Sequence, residues 1–507
     1  MTWTILGGVA ALFFLGRCIC NLYFHPLRKF PGPKKAAIGG FLEFYYDVLK
    51  DGTYIWEIEK MHKKYGPIIR INAEELHIDD PTFYGNIYAG GGKRVNKHEA
   101  TVAAYTVPRA SLATVDHDRH RVRRAILNPY FSRKAITDLE PLIHGLISTL
   151  FEKLDNYRAK GTVVDLEKAF SAMTGDLITL YFYGSHGDHL SSEDFKNEEN
   201  EAAVSVIEMY HLARFLPTLA NWMKKLPIPI VRMIHPGAAH MLQSQVDVRK
   251  AITETIKSTK QTTRSRSVIL SALADPNNPA EENTLDRLVD EGMTIILAGT
   301  EITAHTLGAT MFYVLNDKKI LDRLREELAE LAPGPPEQYT YSGLEALPYL
   351  TAVINEGLRL SHGVSARLPR ISVVEPLYYG DWVIPPGARL LPPFHHTPIS
   401  TQSPLIHYNE TIFPNPKKFD PTRWIRAAET GVNLNKYMVS FSKGSRGCLG
   451  ISLAYCEMYL TLARLVRRFD MTLDGTKLED VEPYHIRLTS YPREGMGEVR
   501  VRLERRD

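Results

Sequence analysis

Residues 441–450 read FSKGSRGCLG, and their cysteine is the side chain of greatest chemical reach in the sequence. Glycines at 444, 447 and 450 permit left-handed or tightly bent backbone and let a flat ligand come close to the main chain. The next residues, ISLAYCEMYLTLARLVRRF, have a helical pattern, which puts Cys448 at a helix N-terminus. Unpaired N–H groups and the positive dipole end favour a thiolate there. A thiolate in a glycine-lined bend, shielded by Phe441, has what an axial iron ligand requires: a deprotonated sulfur, little bulk, and amides that temper its electron density. Arg446 can reach an anionic group of the same ligand. Plain core packing is the commoner role of a lone cysteine, and it is the reading for Cys456.

At Cys448 the spacing F-x-x-G-x-R-x-C-x-G weighs against plain packing. Five fixed residue types match by chance on the order of once in ten thousand chains of this size. The pattern resembles the haem-binding loop of the cytochrome P-450 family, with Gly450 as its last fixed residue. Independent segments agree. Glu356 and Arg359 in NEGLRL lie three apart, on one helix face, and can pair. The family completes this pair with an arginine from a later loop, and FPNPKKFDPTRW supplies Arg423. The resemblance implies that this triad is architectural and anchors the cysteine loop.

In HDRHRVRRAILNPYFS, His120 and Arg124 fall at i and i+4, where the family usually has W-x-x-x-R gripping a haem propionate. A solvated basic helix face is the alternative. Arg370, in RLPR, is similar to the family's second propionate arginine, with Arg367 as its substitute. Guanidinium groups suit the task because they stay charged and present a fork of donors. The stretch MTIILAGTEITAHT resembles the family's oxygen-binding helix, [AG]-G-x-[DE]-T-[TS]. Ala298 and Gly299 would let the helix lie against a haem face, and Glu301 would pass protons inward. Ile302 stands where the family has threonine. Thr303 is therefore the candidate hydroxyl, presented by a local bulge or replaced by water.

These residues need elements to hold them. The chain has 507 residues and a net charge of +3, which gives no bulk electrostatic reason to bind nucleic acid. Two of its four cysteines, Cys18 and Cys20, lie in an apolar leader, so a disulfide framework is not expected. From Trp3 to Phe24 the sequence is apolar apart from Arg17, long enough to cross a bilayer. Basic residues follow at 28, 29, 34 and 35, placing the body on the cytosolic side; a cleaved signal peptide is the rival reading. The sequon at Asn409 would then be unused. FPGPK at 30–34 reads as a stiff hinge.

Residues 64–80 suggest a β-hairpin and 258–283 a surface connection. A long helix starts near Thr284 and passes Tyr313, a second runs over Asp317–Leu331 with Pro333 beyond it, and strands reappear at 371–392. The expectation is a mainly α protein with minor β, in the cytochrome P-450 fold. A transmembrane anchor at 1–25 and a proline-rich hinge at 26–40 precede one catalytic domain at 41–507.

The resemblance runs from hinge to cysteine loop and is closest to membrane-bound fungal members of the trichodiene-oxygenase type. It implies non-covalent haem b with iron on Cys448, dioxygen as co-substrate, and NADPH electrons through a membrane-bound NADPH-cytochrome reductase. No flavin or G-x-G-x-x-G nicotinamide fingerprint is present. Lys436, Lys443 and Arg446 lie on the side where that reductase would dock. The mixed Trp, Met and Lys composition of 208–234 suits a surface dipping into the membrane. The implied activity is hydroxylation or epoxidation of a small lipophilic secondary metabolite, terpenoid or polyketide-like, by a monomer of the endoplasmic reticulum membrane. The alternatives are a reductase-independent haem-thiolate isomerase or dehydratase and a haem sensor.

Overall fold

The computed structural model describes residues 2–90, 92–184, 187–259, 268–331, 334–386, 397–495 and 497–505. Helix α1 (Thr2–Ile19) passes into a wider turn at Cys20–Phe24. Thr4–Phe24 is long and apolar enough to cross a membrane, and the rest of the protein covers almost none of it. The backbone is extended at Phe30 and Pro33, as expected of a proline-rich stretch. That stretch is strapped to the body: Leu27 and Phe30 are buried, Phe30 stacks on Trp382 at 4.9 Å, and Arg70 N–H donates to the Pro31 carbonyl at 2.7 Å.

The body is built mainly from helices. Those that position the site are α2 (His117–Leu127), α3 (Arg133–Lys160), α4 (Leu166–Tyr183), α5 (Pro236–Thr259), α6 (Leu285–Asn316), α7 (Lys318–Leu331), α8 (Pro348–Ser361) and α9 (Ile451–Arg468). Asp116 caps α2 by accepting from Arg119 N at 2.8 Å, and Asp165 caps α4 by accepting from Glu167 N at 3.0 Å. Helix α6 starts one residue after the expected Thr284 and is the spine of the core. It packs along α4, and the Thr174 hydroxyl donates to the Thr300 carbonyl at 2.7 Å between them.

Among the described residues the largest sheet comprises β1 (Ile68–Arg70), β2 (Leu76–Ile78), β3 (Val95–Lys97), β4 (Arg370–Ser372) and β5 (Ile399–Ser400), in the order β1-β2-β5-β4-β3. The β1–β2 pair is the expected hairpin, with Ile68 opposite Ile78. Only the β2–β5 pairing is parallel. The surface connection falls partly outside the described residues at 260–267, the strand-like stretch at 387–392, and Pro333 wholly.

Candidate active site

Helices α2 and α6, strands β3 and β4, and the loop at 439–450 enclose a cavity of about 350 Å³, lined mainly by apolar side chains including Ile178, Met241, Met293, Leu297, Val364 and Leu488. Cys448 lies in its wall, as do Phe441, Arg446 and Gly450. Cys448 does not begin the helix: α9 starts at Ile451 with Gly450 as its N-cap. The helical pattern of the following residues hid those two intervening positions. Cys448 is exposed on the cavity wall, and the packing around it pushes its thiol up. The Gly450 N–H donating to the sulfur and the nearby Arg124 pull the other way.

The three loop glycines differ in their reasons. Gly444 has φ +73°, and a Cβ there would fall 2.3 Å from the carbonyl oxygens of Tyr88 and Ala89. Gly447 is only moderately tight, and Gly450 has an ordinary φ of −90°. A Cβ at 450 would meet no atom within 4 Å, so glycine there leaves the main chain bare beside open space. The loop is held from behind. Cys448 N–H donates to Phe441 O at 2.9 Å, Ser440 Oγ to Leu358 O at 2.7 Å, and Val439 N–H to His407 Nε2 at 3.2 Å.

The expected triad lies behind that loop, wholly buried. Glu356 accepts from Arg359 at 2.8 and 2.9 Å, from Arg423 Nε at 3.0 Å, from Trp424 Nε1 at 2.9 Å and from Asp420 N at 2.9 Å. Arg359 Nη1 donates to the His407 carbonyl at 2.8 Å, and the same histidine receives Val439 N–H. Both lone pairs of each carboxylate oxygen are in use, so the charge is compensated although no water reaches it.

Cations gather on one side of the cavity. Arg446 donates to the carbonyls of Thr114, Val115 and Asp116 at 2.5, 2.8 and 3.0 Å, and its Nε is buried without a partner. Arg124 donates to Asn128 Oδ1 at 2.8 Å and to the Cys448 carbonyl at 3.0 Å. Arg370 donates to the carbonyls of Leu368 and Pro369, and its Nε too is buried and unpartnered. The buried His120 ring borders the cavity beside them. A further member that no sequence motif marks is Lys97, which is buried on β3 in register with Arg370 and donates to the Leu112 carbonyl. Burial and mutual repulsion hold Arg446 down to about 9, His120 to about 2, and Lys97 well below the usual lysine range. The hydrogen bonds of these four cations go to carbonyls and to Asn128, none to a carboxylate among the described residues.

Arg367 is elsewhere. It is buried in a carboxylate cluster, paired with Glu43 and with Asp47 at 3.4 Å, whereas Arg370 lines the cavity. Because Arg446 is buried, it offers no docking surface, whereas Lys436 is exposed.

Helix α6 is unbroken over 285–316, so no bulge presents Thr303. Ala298, Gly299, Glu301, Ile302, Thr303 and Thr306 all line the cavity. The space that Gly299 leaves is taken by Ile178 of α4, whose Cγ1 would lie 2.8 Å from an added Cβ. Thr303 hydrogen-bonds to Glu457, a buried acid on α9 that the sequence reading passed over. Thr306 bonds Ser361 Oγ at 3.1 Å. Glu301 accepts from the Tyr491 hydroxyl at 2.9 Å, its other oxygen is buried and unpartnered, and burial raises its pKa.

The family model that matches is cytochrome P450, over residues 32–495. The chain belongs to the cytochrome P-450 family. It is 48% identical to the cytochrome P-450 monooxygenase astB of Aspergillus terreus over 98% of this chain and 96% of that one. It is 46% identical to the cytochrome P-450 monooxygenase TRI4 of Trichoderma arundinaceum over 98% and 95%. Against the conidiogenone synthase of Penicillium rubens it is 43% identical over 97% of both chains. As a cytochrome P-450 monooxygenase the protein oxidises a lipophilic metabolite with haem and dioxygen. The residues present fit that group: a cysteine facing the cavity, a bare main chain at Gly450, and buried cations with orphaned nitrogens that a dianionic ligand would satisfy.

Proposed function

We propose that this protein is an NADPH-reductase-dependent monooxygenase that hydroxylates or epoxidises a terpenoid-like hydrocarbon skeleton at the endoplasmic reticulum membrane. The observation that carries the reading is Cys448 opening on a largely apolar cavity, one side of which gathers buried cations that bond to no carboxylate among the described residues. In this reading Cys448 holds the iron of haem b, while His120, Arg124, Arg370, Arg446 and Lys97 hold its propionates. Phe441 and Gly450 shape the approach to the sulfur, and Ala298 and Gly299 line the same cavity. Bound haem supplies the activation of dioxygen and the oxidation of a C–H or C=C bond. Glu301 delivers protons, and Thr303, fastened to Glu457, positions the helix beside it. Glu356, Arg359 and Arg423 anchor the loop.

The apolar lining favours a substrate with few polar groups. Exposed Trp222 (57%), Met233 (88%) and Ile234 (62%) favour a second membrane contact besides the anchor. Exposed Lys436, with Lys443 bonded to its carbonyl, suits an acidic reductase face. A second reading, an isomerase or dehydratase that rearranges peroxides, is favoured by Ile302 in the place of the family's threonine.

One comparison decides between them. Product formed with NADPH and reductase supports the monooxygenase, and product formed from a peroxide substrate without either supports the rearrangement. The shared premise is tested by the carbon monoxide difference spectrum of the reduced protein, whose thiolate-type band Cys448→Ser should abolish.

A further inference from the structure

Behind Glu301, away from the cavity, lies a file of buried acid–base groups that haem binding does not use. His305 is one helical turn beyond Glu301 on the same face of α6, and both are buried. The His305 Nδ1 lies 3.2 Å from Glu167 Oε1 on the first turn of α4. The Tyr491 hydroxyl donates to Glu301 Oε1 at 2.9 Å, and its ring stands 6.0 Å from that of His305. Two carboxylate oxygens in the file, Glu301 Oε2 and Glu167 Oε2, are buried without a partner. Unpartnered buried oxygens are rare because each forfeits its hydration, and a pair flanking one histidine needs a reason.

The outer end of the file lies just beneath the surface. The Glu167 side chain is 17% exposed, against 8% for His305. Next to it Asp165, which caps α4, lies 3.6 Å from the exposed Lys168, which is 3.7 Å from Glu498. Gly497 has φ +90°, and a Cβ there would crowd Glu167 Oε2 at 3.1 Å and His305 Cε1 at 3.4 Å. The missing side chain keeps the mouth clear.

We propose that Glu167 and His305 form a proton-uptake path that recharges Glu301 from solvent, with its entrance between the first turn of α4 and Gly497. This deepens the monooxygenase reading and rests on it. The transfer is balanced at each step. The imidazolium of His305 gives its Nε2 proton to the Glu301 carboxylate, leaving a neutral ring and a neutral acid. The proton left on Nδ1 shifts to Nε2 by tautomerisation, which frees Nδ1; Glu167 then takes a proton from solvent and passes it to Nδ1, restoring the imidazolium. The net change is one proton moved from solvent to Glu301. Ionisation supports it: burial raises Glu167 to about 7, while Glu167, acting against burial, raises His305 to about 9, so the pair shares a proton at neutral pH. The charged and titratable groups facing the pair are Glu301 on its own helix, Asp165 at the cap of α4 and Tyr491 from the strand Ser490–Tyr491.

The test uses full-length, haem-loaded protein carrying His305→Gln or Glu167→Gln. The first readout is hydrogen–deuterium exchange at the protonated Glu301 carboxyl, followed by the isotope shift of its infrared carbonyl stretch and assigned by the band's absence in Glu301→Gln. The second is the share of NADPH electrons released as peroxide. Exchange slowed on the order of 100-fold in both variants, with more peroxide and an unaltered carbon monoxide band, is the expected result. Wild-type exchange in both variants overturns the path. If His305→Gln fails to fold, Glu167→Gln at the partly exposed mouth decides alone. A wild-type protein without a thiolate-type band would instead sink the underlying reading, so the two failures are told apart.

Discussion

Lys97 and Arg370 stand directly opposite one another across the antiparallel β3–β4 ladder, both buried, with no carboxylate paired to either among the described residues. Like charges so placed repel, so an anion beside the pair stabilises both in their charged form. Two opposite effects of Lys97→Gln follow. In the haem-free protein it should raise thermal stability. In the loaded protein it should speed haem transfer to a scavenger roughly tenfold or more, because a hydrogen bond to a charged group is worth about 1.5–3 kcal/mol. Arg370→Gln should act alike. An equal sign in both states would remove these residues from the propionate set.

Glu356→Gln keeps the shape of the triad but removes the charge between Arg359 and Arg423. Breaking a buried pair costs about 3–5 kcal/mol. The expected outcome is a large loss of folded, haem-bearing protein on expression, with Glu356→Asp intermediate. Normal yield of Glu356→Gln with a normal spectrum would show that the triad does not anchor the loop.

Deleting residues 1–25 should weaken membrane association without abolishing it. The contact expected to remain is the exposed surface around Trp222, Met233 and Ile234, joined to the N-terminal segment where Phe44 meets Phe215 edge-on at 5.3 Å. Adding Trp222→Ser and Met233→Ser to the deletion should release most of the protein in vesicle flotation. Full solubility after deletion alone would refute the second contact.

His305 carries a pH signature. Its folded pKa of about 9 lies above the ordinary 6.5 because of Glu167. Stability from this pairing is fully present below 6.5 and is lost as pH rises toward 9, a term on the order of 1–3 kcal/mol. Glu167, raised to about 7 by burial, acts in the same direction from 4.5 upward. Thermal melts of the wild type should therefore fall across this window, and those of His305→Gln should be flatter.

Placements set within one short segment were legible from sequence. The Glu356–Arg359 pair and the start of α6 near Thr284 both depend on local spacing. Lys97 was not, because its meaning comes from strand register with a residue far along the chain. Glu457 reads as one more polar residue of an amphipathic helix until Thr303 is found bonded to it. His305 and Glu167 belong to different helices, and only the packing of α6 on α4 makes them neighbours. The position of Cys448 relative to α9 was misjudged because amphipathic periodicity marks a helix's interior better than its first turn.

Gly444 is wedged against the carbonyls of Tyr88 and Ala89, and Ser445 N–H donates to Ala89 O at 3.2 Å. The wall bearing the sulfur is thus stitched to a stretch synthesised some hundreds of residues earlier. A nascent chain halted before that stitch has cations and apolar lining but no closed pocket. Pigment acquisition then belongs to the finished polypeptide, and a ribosome stalled short of the loop should yield a colourless product.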